Sequence, residues 1–203
     1  MSREIELKVP LTQEQFEKIH EILSGKQVLP AFNFHSFEHI IKSDEYFSRY
    51  HSHEERIENK ELRVIRIRTE KTDGGDEKSY FCIKQKTIEN GVEFNSEKET
   101  FLEDADVLRS FFEASGFIKW FEKKKDAVGV LCSLDSSDFE AHLELEKVNS
   151  LLYIEIEYTK EDLPADEVRS NLEKILLALG VDPKKRDSRS WAEIVSEELG
   201  IRN

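Results

Sequence analysis

Seven stretches of the sequence place ionisable side chains two residues apart. Glu4, Glu6 and Lys8 lie in "REIELKV", residues 3–9. Arg66 and Arg68 lie in "IRIR", Lys84 and Lys86 in "IKQK", Glu97 and Glu99 in "SEKE", and Lys123 and Lys125 in "KKK". His142, Glu144 and Glu146 lie in "HLELE", and Glu155 and Glu157 in "EIE". Carboxylates gathered on one wall suit Mg²⁺ or Mn²⁺, which prefer oxygen ligands. Lysines and arginines on another wall suit phosphate oxygens. Together they suit a polyphosphate bound with metal.

Spacing of two is the period of a β-strand, so each set shares one face of its strand. The opposite faces are apolar: Ile5, Leu7 and Val9; Ile65 and Ile67; Phe81 and Ile83; Leu143 and Leu145; Ile154 and Ile156. An antiparallel sheet commonly has one wet face and one packed face, which is the plain account of such alternation. Two features speak against it here. Several strands carry doublets of one sign, where a solvated face would mix signs. The helices also offer apolar stripes that can cover the oily faces from outside, leaving the charged faces to point into a curved sheet. A barrel filled with ions is costly unless the ions are used.

The elements that position these faces can be read in order. "LTQEQFEKIHEIL" is a helix opened by a Thr12–Gln15 capping box, with Phe16, Ile19, Ile22 and Leu23 at helical spacing. "HIIKSDEYFSRY" is expected to be a strand and "HSHEERIENK" a charged loop. "ELRVIRIRTE" and "KSYFCIKQK" form a hairpin around "KTDGGD". "VEFNSEKETF" follows the turn signal Asn90-Gly91. Residues 103–115 form a helix with Val107, Leu108, Phe111 and Phe112 on one side, the two phenylalanines in the core, and Gly116 at its end. Strands resume with "FIKWFEKKK", "GVLCSLD", "FEAHLELEKV" and "LLYIEIEYT". A helix runs from near Pro164 to Gly180, with Val168, Leu172, Ile175, Leu176 and Leu179 as its stripe. A last helix begins near Ser188 or Ser190. About eight strands and four helices, with strands joined by short turns, give an α+β antiparallel sheet or barrel with helices packed on it.

The 203 residues carry no internal repeat and no linker-like stretch, so a single domain over 1–203 is expected. The net charge of −13 opposes broad binding to nucleic acid or an anionic membrane. Two cysteines, Cys82 and Cys132, offer no metal-ligand spacing and no disulfide framework. Neither a signal peptide nor a bilayer-spanning stretch is visible, and a cytoplasmic protein is expected.

The motifs resemble, in order and over nearly the whole chain, those of the CYTH superfamily, or triphosphate tunnel metalloenzymes. "EIELK" resembles the ExExK signature, "SDEYF" the second-strand motif and "IRIR" the third. "FCIKQK" resembles the strand that supplies a substrate lysine, here Lys84. "NSEKE" resembles an Arg-x-Glu-x-Glu strand and "KKK" a Lys-x-Arg strand. "LEKVNSLLYIEIE" resembles the end of the sheet, and "SRSWAEIV" the terminal helix. The resemblance implies an eight-stranded antiparallel tunnel with helices outside, and a Mg²⁺- or Mn²⁺-dependent enzyme acting on a small-molecule triphosphate, as monomer or homodimer. Carried over by position, Glu4, Glu6, Glu146, Glu155 and Glu157 would hold metal. Lys8, Arg66, Arg68, Lys84, Lys86, Lys123 and Lys125 would grip the triphosphate. Glu4, Glu6, Lys8, Arg66 and Arg68 would be catalytic. The chain departs from the pattern at Asn95 and Lys125, where arginines are expected, at Glu146 in place of aspartate, and at Trp191 in place of tyrosine.

Hydrolysis of a triphosphate is the leading expectation. A class IV-type adenylate cyclase is the alternative, although no His-Phe precedes ExExK. A binder that kept the clamp without catalysis is the third. "HSH" at 51–53, with His35 and His39, reads as polar loop more readily than as a transition-metal site. Cys82 faces the tunnel by parity. "KKRDSR" at 184–189 is a basic run that is either solvated or closes one tunnel mouth.

Overall fold

The structure, a computed structural model, describes residues 2–61, 63–89, 92–134, 138–160 and 162–199. Eight strands form a closed antiparallel barrel. They are β1 (Ser2–Pro10), β2 (Phe32–Ser48), β3 (Arg63–Thr72), β4 (Lys78–Glu89), β5 (Val92–Leu102), β6 (Ile118–Leu134), β7 (Glu140–Val148) and β8 (Leu151–Tyr158). Around the barrel the order is β1-β5-β4-β3-β2-β6-β7-β8. β1 closes it, pairing with β5 on one side and β8 on the other. The fold is the helix-clad eight-stranded barrel that the motifs implied.

Among the described residues five α-helices lie outside: α1 (Gln13–Leu23), α2 (His53–Glu58), α3 (Ala105–Ala114), α4 (Ala165–Ala178) and α5 (Trp191–Glu198). A 3-10 turn, Pro183–Lys185, precedes α5. The capping box that opens α1 is present: the Thr12 hydroxyl accepts from Gln15 N at 3.2 Å, and Gln15 accepts from Thr12 N at 3.1 Å. α1 and α4 cover the outer faces of β1, β7 and β8. Their stripes Ile19, Ile22, Leu23 and Leu172, Ile175, Leu176 pack on Leu7, Leu143, Leu145, Ile154 and Ile156. A second cluster joins Phe112 of α3 to Phe47 and Ile67 on β2 and β3. The oily faces therefore point outward into helices, and the charged faces point inward. Burial of the apolar set drives this arrangement at roughly 25 cal/mol per Å².

Four expectations change. "HSHEERIENK" contains α2 rather than only loop. Ser52 caps it, accepting from Glu55 N at 3.2 Å, with Glu54 and Glu55 in its first turn and Arg56 in its last. Those charges complement the helix dipole, but six residues are too few to show an apolar period. Phe111 is 60% exposed and outside the core, because Phe112 is the residue of α3 that meets the barrel. "FIKWFEKKK" and "GVLCSLD" are one strand, β6, and the helices among the described residues number five. Gly129 continues β6 instead of breaking it. A Cβ there would stand 3.3 Å from His142 Nε2, so the glycine makes room for an inward imidazole. The Asn90-Gly91 turn lies outside the described residues. No helix among the described residues is long and apolar enough to cross a membrane.

Candidate active site

A cavity of about 590 Å³ occupies the barrel. Glu4, Glu6 and Lys8 line it from β1, and Glu155 and Glu157 from β8. Arg66 and Arg68 reach it from β3, Lys84 and Lys86 from β4, and Lys123 and Lys125 from β6. Glu97, Glu99, His142 and Glu144 line it too. Period-two alternation places them there: cross-strand neighbours are Glu6 with Glu157, Lys8 with Glu155, and Lys84 with Glu97. Glu146 alone among the expected site residues is set back from the wall, fully buried beneath Lys125.

The interior divides into three groups of ions. The first centres on Asp44, which the sequence reading left without a role. Its fully buried carboxylate lies 2.7 Å from Arg68 Nε, 3.3 Å from Lys123 Nζ and 3.8 Å from Arg66 Nη1. Burial pushes this carboxyl up, but Arg68, Arg66 and Lys123 together outweigh burial and hold it well below the usual range. Burial brings Lys123 down to about 8, with Asp44 opposing the shift and Lys125 adding to it.

The second group joins β1, β4 and β5. Glu6 accepts from Lys84 at 3.1 Å and from Asn95 Nδ2 at 2.9 Å. Glu97 accepts from Arg66 Nη2 at 2.8 Å. Arg66 Nε is buried and makes no hydrogen bond among the described residues. Glu4 is pushed up to about 7 by burial, then by Glu157, against the pull of Lys84. Asn95, the first departure from the motif pattern, thus serves as a neutral donor to Glu6.

The third group surrounds Lys125. Its ammonium touches Glu144 and lies 2.6 Å from Glu146 and 3.3 Å from Glu155. Lys42 also pairs with Glu144. One oxygen from each of Glu144, Glu146 and Glu155 lies within 4.8 Å of the others. Glu146 Oε1 is buried and has no hydrogen bond among the described residues, and Oε2 has the Lys125 ammonium as its partner. Burial and the neighbouring Glu155 push Glu146 up to about 7. Three carboxylates this close, with Glu146 Oε1 unbonded among the described residues, fit a hard divalent cation. Of the five expected metal ligands, Glu146 and Glu155 come together here, joined by Glu144. Glu4, Glu6 and Glu157 stand with the second group.

A segment before α5 crosses the end of the tunnel where β1 and β4 finish. Lys8 Nζ donates to the Arg189 carbonyl at 2.7 Å, and Lys86 Nζ to the Ser188 carbonyl at 2.6 Å. Asp187 N donates to the Lys8 carbonyl at 2.8 Å. The basic run at 184–189 therefore meets the tunnel through its carbonyls. Trp191 follows, with Lys8 Nζ 5.1 Å and Lys123 Nζ 4.9 Å from its ring centroid. Its Nε1 donates to Glu155 at 2.9 Å. An indole has room and reach for two ammonium groups and a carboxylate at once.

The histidines do not assemble. His35 pairs with Glu140, His39 bridges Asp73 and Asp126, and His53 lies near Glu193. Cys82 faces inward as parity required, with Sγ 2.8 Å from Glu99. Burial pushes its thiol up to about 12, away from nucleophilic use.

No family model and no curated protein matches the chain. Solved structures do. The PH1819 protein of Pyrococcus horikoshii is 24% identical, over 96% of this chain and 99% of that one, with a TM-score of 0.69. A conserved protein of Pyrococcus furiosus is 20% identical, over 94% and 98%, with a TM-score of 0.63. A Vibrio parahaemolyticus protein, provisionally described as an adenylate cyclase, is 16% identical, over 95% and 97%, with a TM-score of 0.65. Likenesses at this identity establish the fold along the whole chain.

Proposed function

We propose that this chain is a divalent-metal-dependent triphosphatase that binds its substrate inside the barrel. The observation that carries the reading is the lining itself. Arg66, Arg68, Lys8, Lys84, Lys123 and Lys125 converge on one cavity with Glu144 and Glu155, and Glu146 stands close behind these two, fully buried. A polyanion with bound cation complements both halves of that lining, and a neutral ligand complements neither.

The clamp's work follows from its geometry. Arg66 and Arg68 are held by Asp44 and Glu97 and are ready for phosphate oxygens, and the Arg66 Nε donor makes no hydrogen bond among the described residues. Such fixed donors stabilise charge that grows on the transferring phosphoryl group. Lys84 and Lys86 extend the same wall, and Lys8 and Lys123 meet it beside Trp191. Mg²⁺ or Mn²⁺ would supply charge neutralisation and an activated water, held by Glu144, Glu146 and Glu155, with Glu4, Glu6 and Glu157 as a second acidic wall.

A panel of tripolyphosphate, ATP and thiamine triphosphate with Mg²⁺ or Mn²⁺ tests this reading. Orthophosphate release is the expected product. Cyclic AMP with pyrophosphate from ATP would make the chain a cyclase instead. Absence of turnover for every triphosphate would overturn the proposal, and binding without product would leave a carrier.

Trp191 gives a graded prediction. Trp191→Leu removes the ring and its N–H, and should raise the KM for triphosphate about tenfold, the scale of a desolvated cation–π contact. Trp191→Phe keeps a ring and should fall between. Equal kinetics for all three proteins would remove Trp191 from the binding account.

A further inference from the structure

The charged lining runs toward the α2 end on β4, with Lys84 and Lys86, but stops short of it on β3, β2 and β6. On β3 the inward positions read Arg68, Arg66 and then Val64 toward the end where α2 sits. On β2 they read Asp44 and then Tyr46, whose strand partners are Arg68 and Arg66. On β6, Lys125 and Lys123 give way to a break in register. Tyr46 pairs with Phe121 and Phe47 with Lys119, so Trp120 has no partner on β2. A bulge of this kind re-aims the side chain it carries. Trp120 accordingly lines the cavity, where unbroken alternation would have presented Phe121. Three adjacent strands thus change from charged to aromatic or aliphatic at the same end.

The elements over that end continue the change. Ile57 of α2 lines the cavity and is 53% exposed, and Ala192 lines it from the first turn of α5. The charges nearby are already engaged. Arg56 donates to Glu61 at 2.9 Å and to the Arg63 carbonyl at 2.9 Å, and lies 4.7 Å from the Trp120 ring centroid. Glu193 accepts from Ser190 N at 2.7 Å. Inorganic triphosphate has no apolar surface with which to cover Ile57, Val64 and Trp120. The cavity of about 590 Å³ is also of the size, roughly 300–1,000 Å³, that takes a drug-sized organic ligand.

We propose that the α2 end of the tunnel is a subsite for the ring-bearing organic group of a triphosphate ester. The substrate class is then organic triphosphate rather than inorganic triphosphate. This rests on the triphosphate reading above and narrows it. The triphosphate lies among the arginines and lysines, and the ring lies against Trp120, Val64 and Ile57.

Calorimetric titration with tripolyphosphate, ATP and thiamine triphosphate, with Ca²⁺ as the added cation, reads affinity separately from turnover. At least one organic probe should bind about tenfold more tightly than tripolyphosphate, the scale of one stacked ring. Ile57→Ser and Trp120→Leu should remove most of that advantage and leave tripolyphosphate affinity within about twofold. Ile57 is half exposed, so its variant tests the subsite even where Trp120→Leu disturbs the Arg56 contact and the fold. Equal affinity for all three probes, or an equal loss for tripolyphosphate in Ile57→Ser, would overturn the subsite while leaving the triphosphate site intact. Failure of every probe to bind would overturn both.

Discussion

Replacing Asp44 with alanine is expected to destabilise the protein by about 3–5 kcal/mol, the cost of removing one partner from a buried ionic group. Arg68, Arg66 and Lys123 all face this fully buried carboxylate. Without it, three cations would share a dry interior with Glu97 as the remaining close partner of Arg66. Asp44→Asn keeps the shape and some hydrogen bonding but loses the charge, and should fall between wild type and Asp44→Ala. Urea melts with linear extrapolation measure both. A loss below about 1 kcal/mol for the alanine variant would show that the cations are solvated by other means. The same carboxylate makes stability depend on pH. Its folded-state pKa lies below the ordinary value near 3.9. Its contribution is therefore complete above that value and is withdrawn as pH falls from there through the folded pKa. Wild type should lose stability more steeply over that acidic interval than Asp44→Asn does.

Asp44 also shows where the sequence was hard to read. Inward strands were recognised by doublets of one sign, and Lys42 with Asp44 is a doublet of mixed sign. Both sit on the inward face of β2, and Asp44 neighbours Arg68 on one side and Lys123 on the other. A mixed pair looks like a solvated face until its neighbours are known. Parity was enough for Glu4, Glu6, Arg66, Lys84 and Glu155, because their strands are regular. It failed at Trp120, where one extra residue in β6 shifts the phase. Glu144 was visible as part of an inward face, but its grouping with Glu146 and Glu155 depends on pairing between β7 and β8. Helices α1 and α4 announced themselves through long stripes and caps. α2, at six residues, lacked the length to do so. Phe111 shared a stripe with Phe112, yet the barrel touches a narrower arc than the stripe spans.

The charges inside the barrel are balanced across strands. Each cation group has an acidic counterpart from a different strand: Asp44 for Arg68, Glu6 for Lys84, and Glu144 for Lys125. Glu4 and Glu146 are the acids pushed up to about 7, so they are the ones least compensated by these pairs. A bound cation would relieve both walls, and its affinity should rise as these groups lose protons.

Arg66→Ala should lower kcat/KM for the preferred triphosphate by about 10²–10³-fold, the usual cost of one fixed donor to developing charge. Arg66 donates to Glu97 at 2.8 Å, stands 3.8 Å from Asp44, and keeps a buried Nε–H that makes no hydrogen bond among the described residues. Arg66→Lys retains the charge but loses the planar fork, so it should recover only part of the rate. Glu6→Gln offers a second check from the β1 side of the same ion group. Glutamine keeps the volume and an acceptor for Lys84 and Asn95, so the fold should persist while the negative charge disappears. Its kcat should fall by at least about tenfold if Glu6 serves the reaction through its charge. Urea melts on each variant separate a damaged fold from a damaged site. Full turnover in a folded Arg66→Ala or Glu6→Gln protein would place the chemistry elsewhere, because these residues stand on opposite sides of the ion group formed by Lys84 and Glu97.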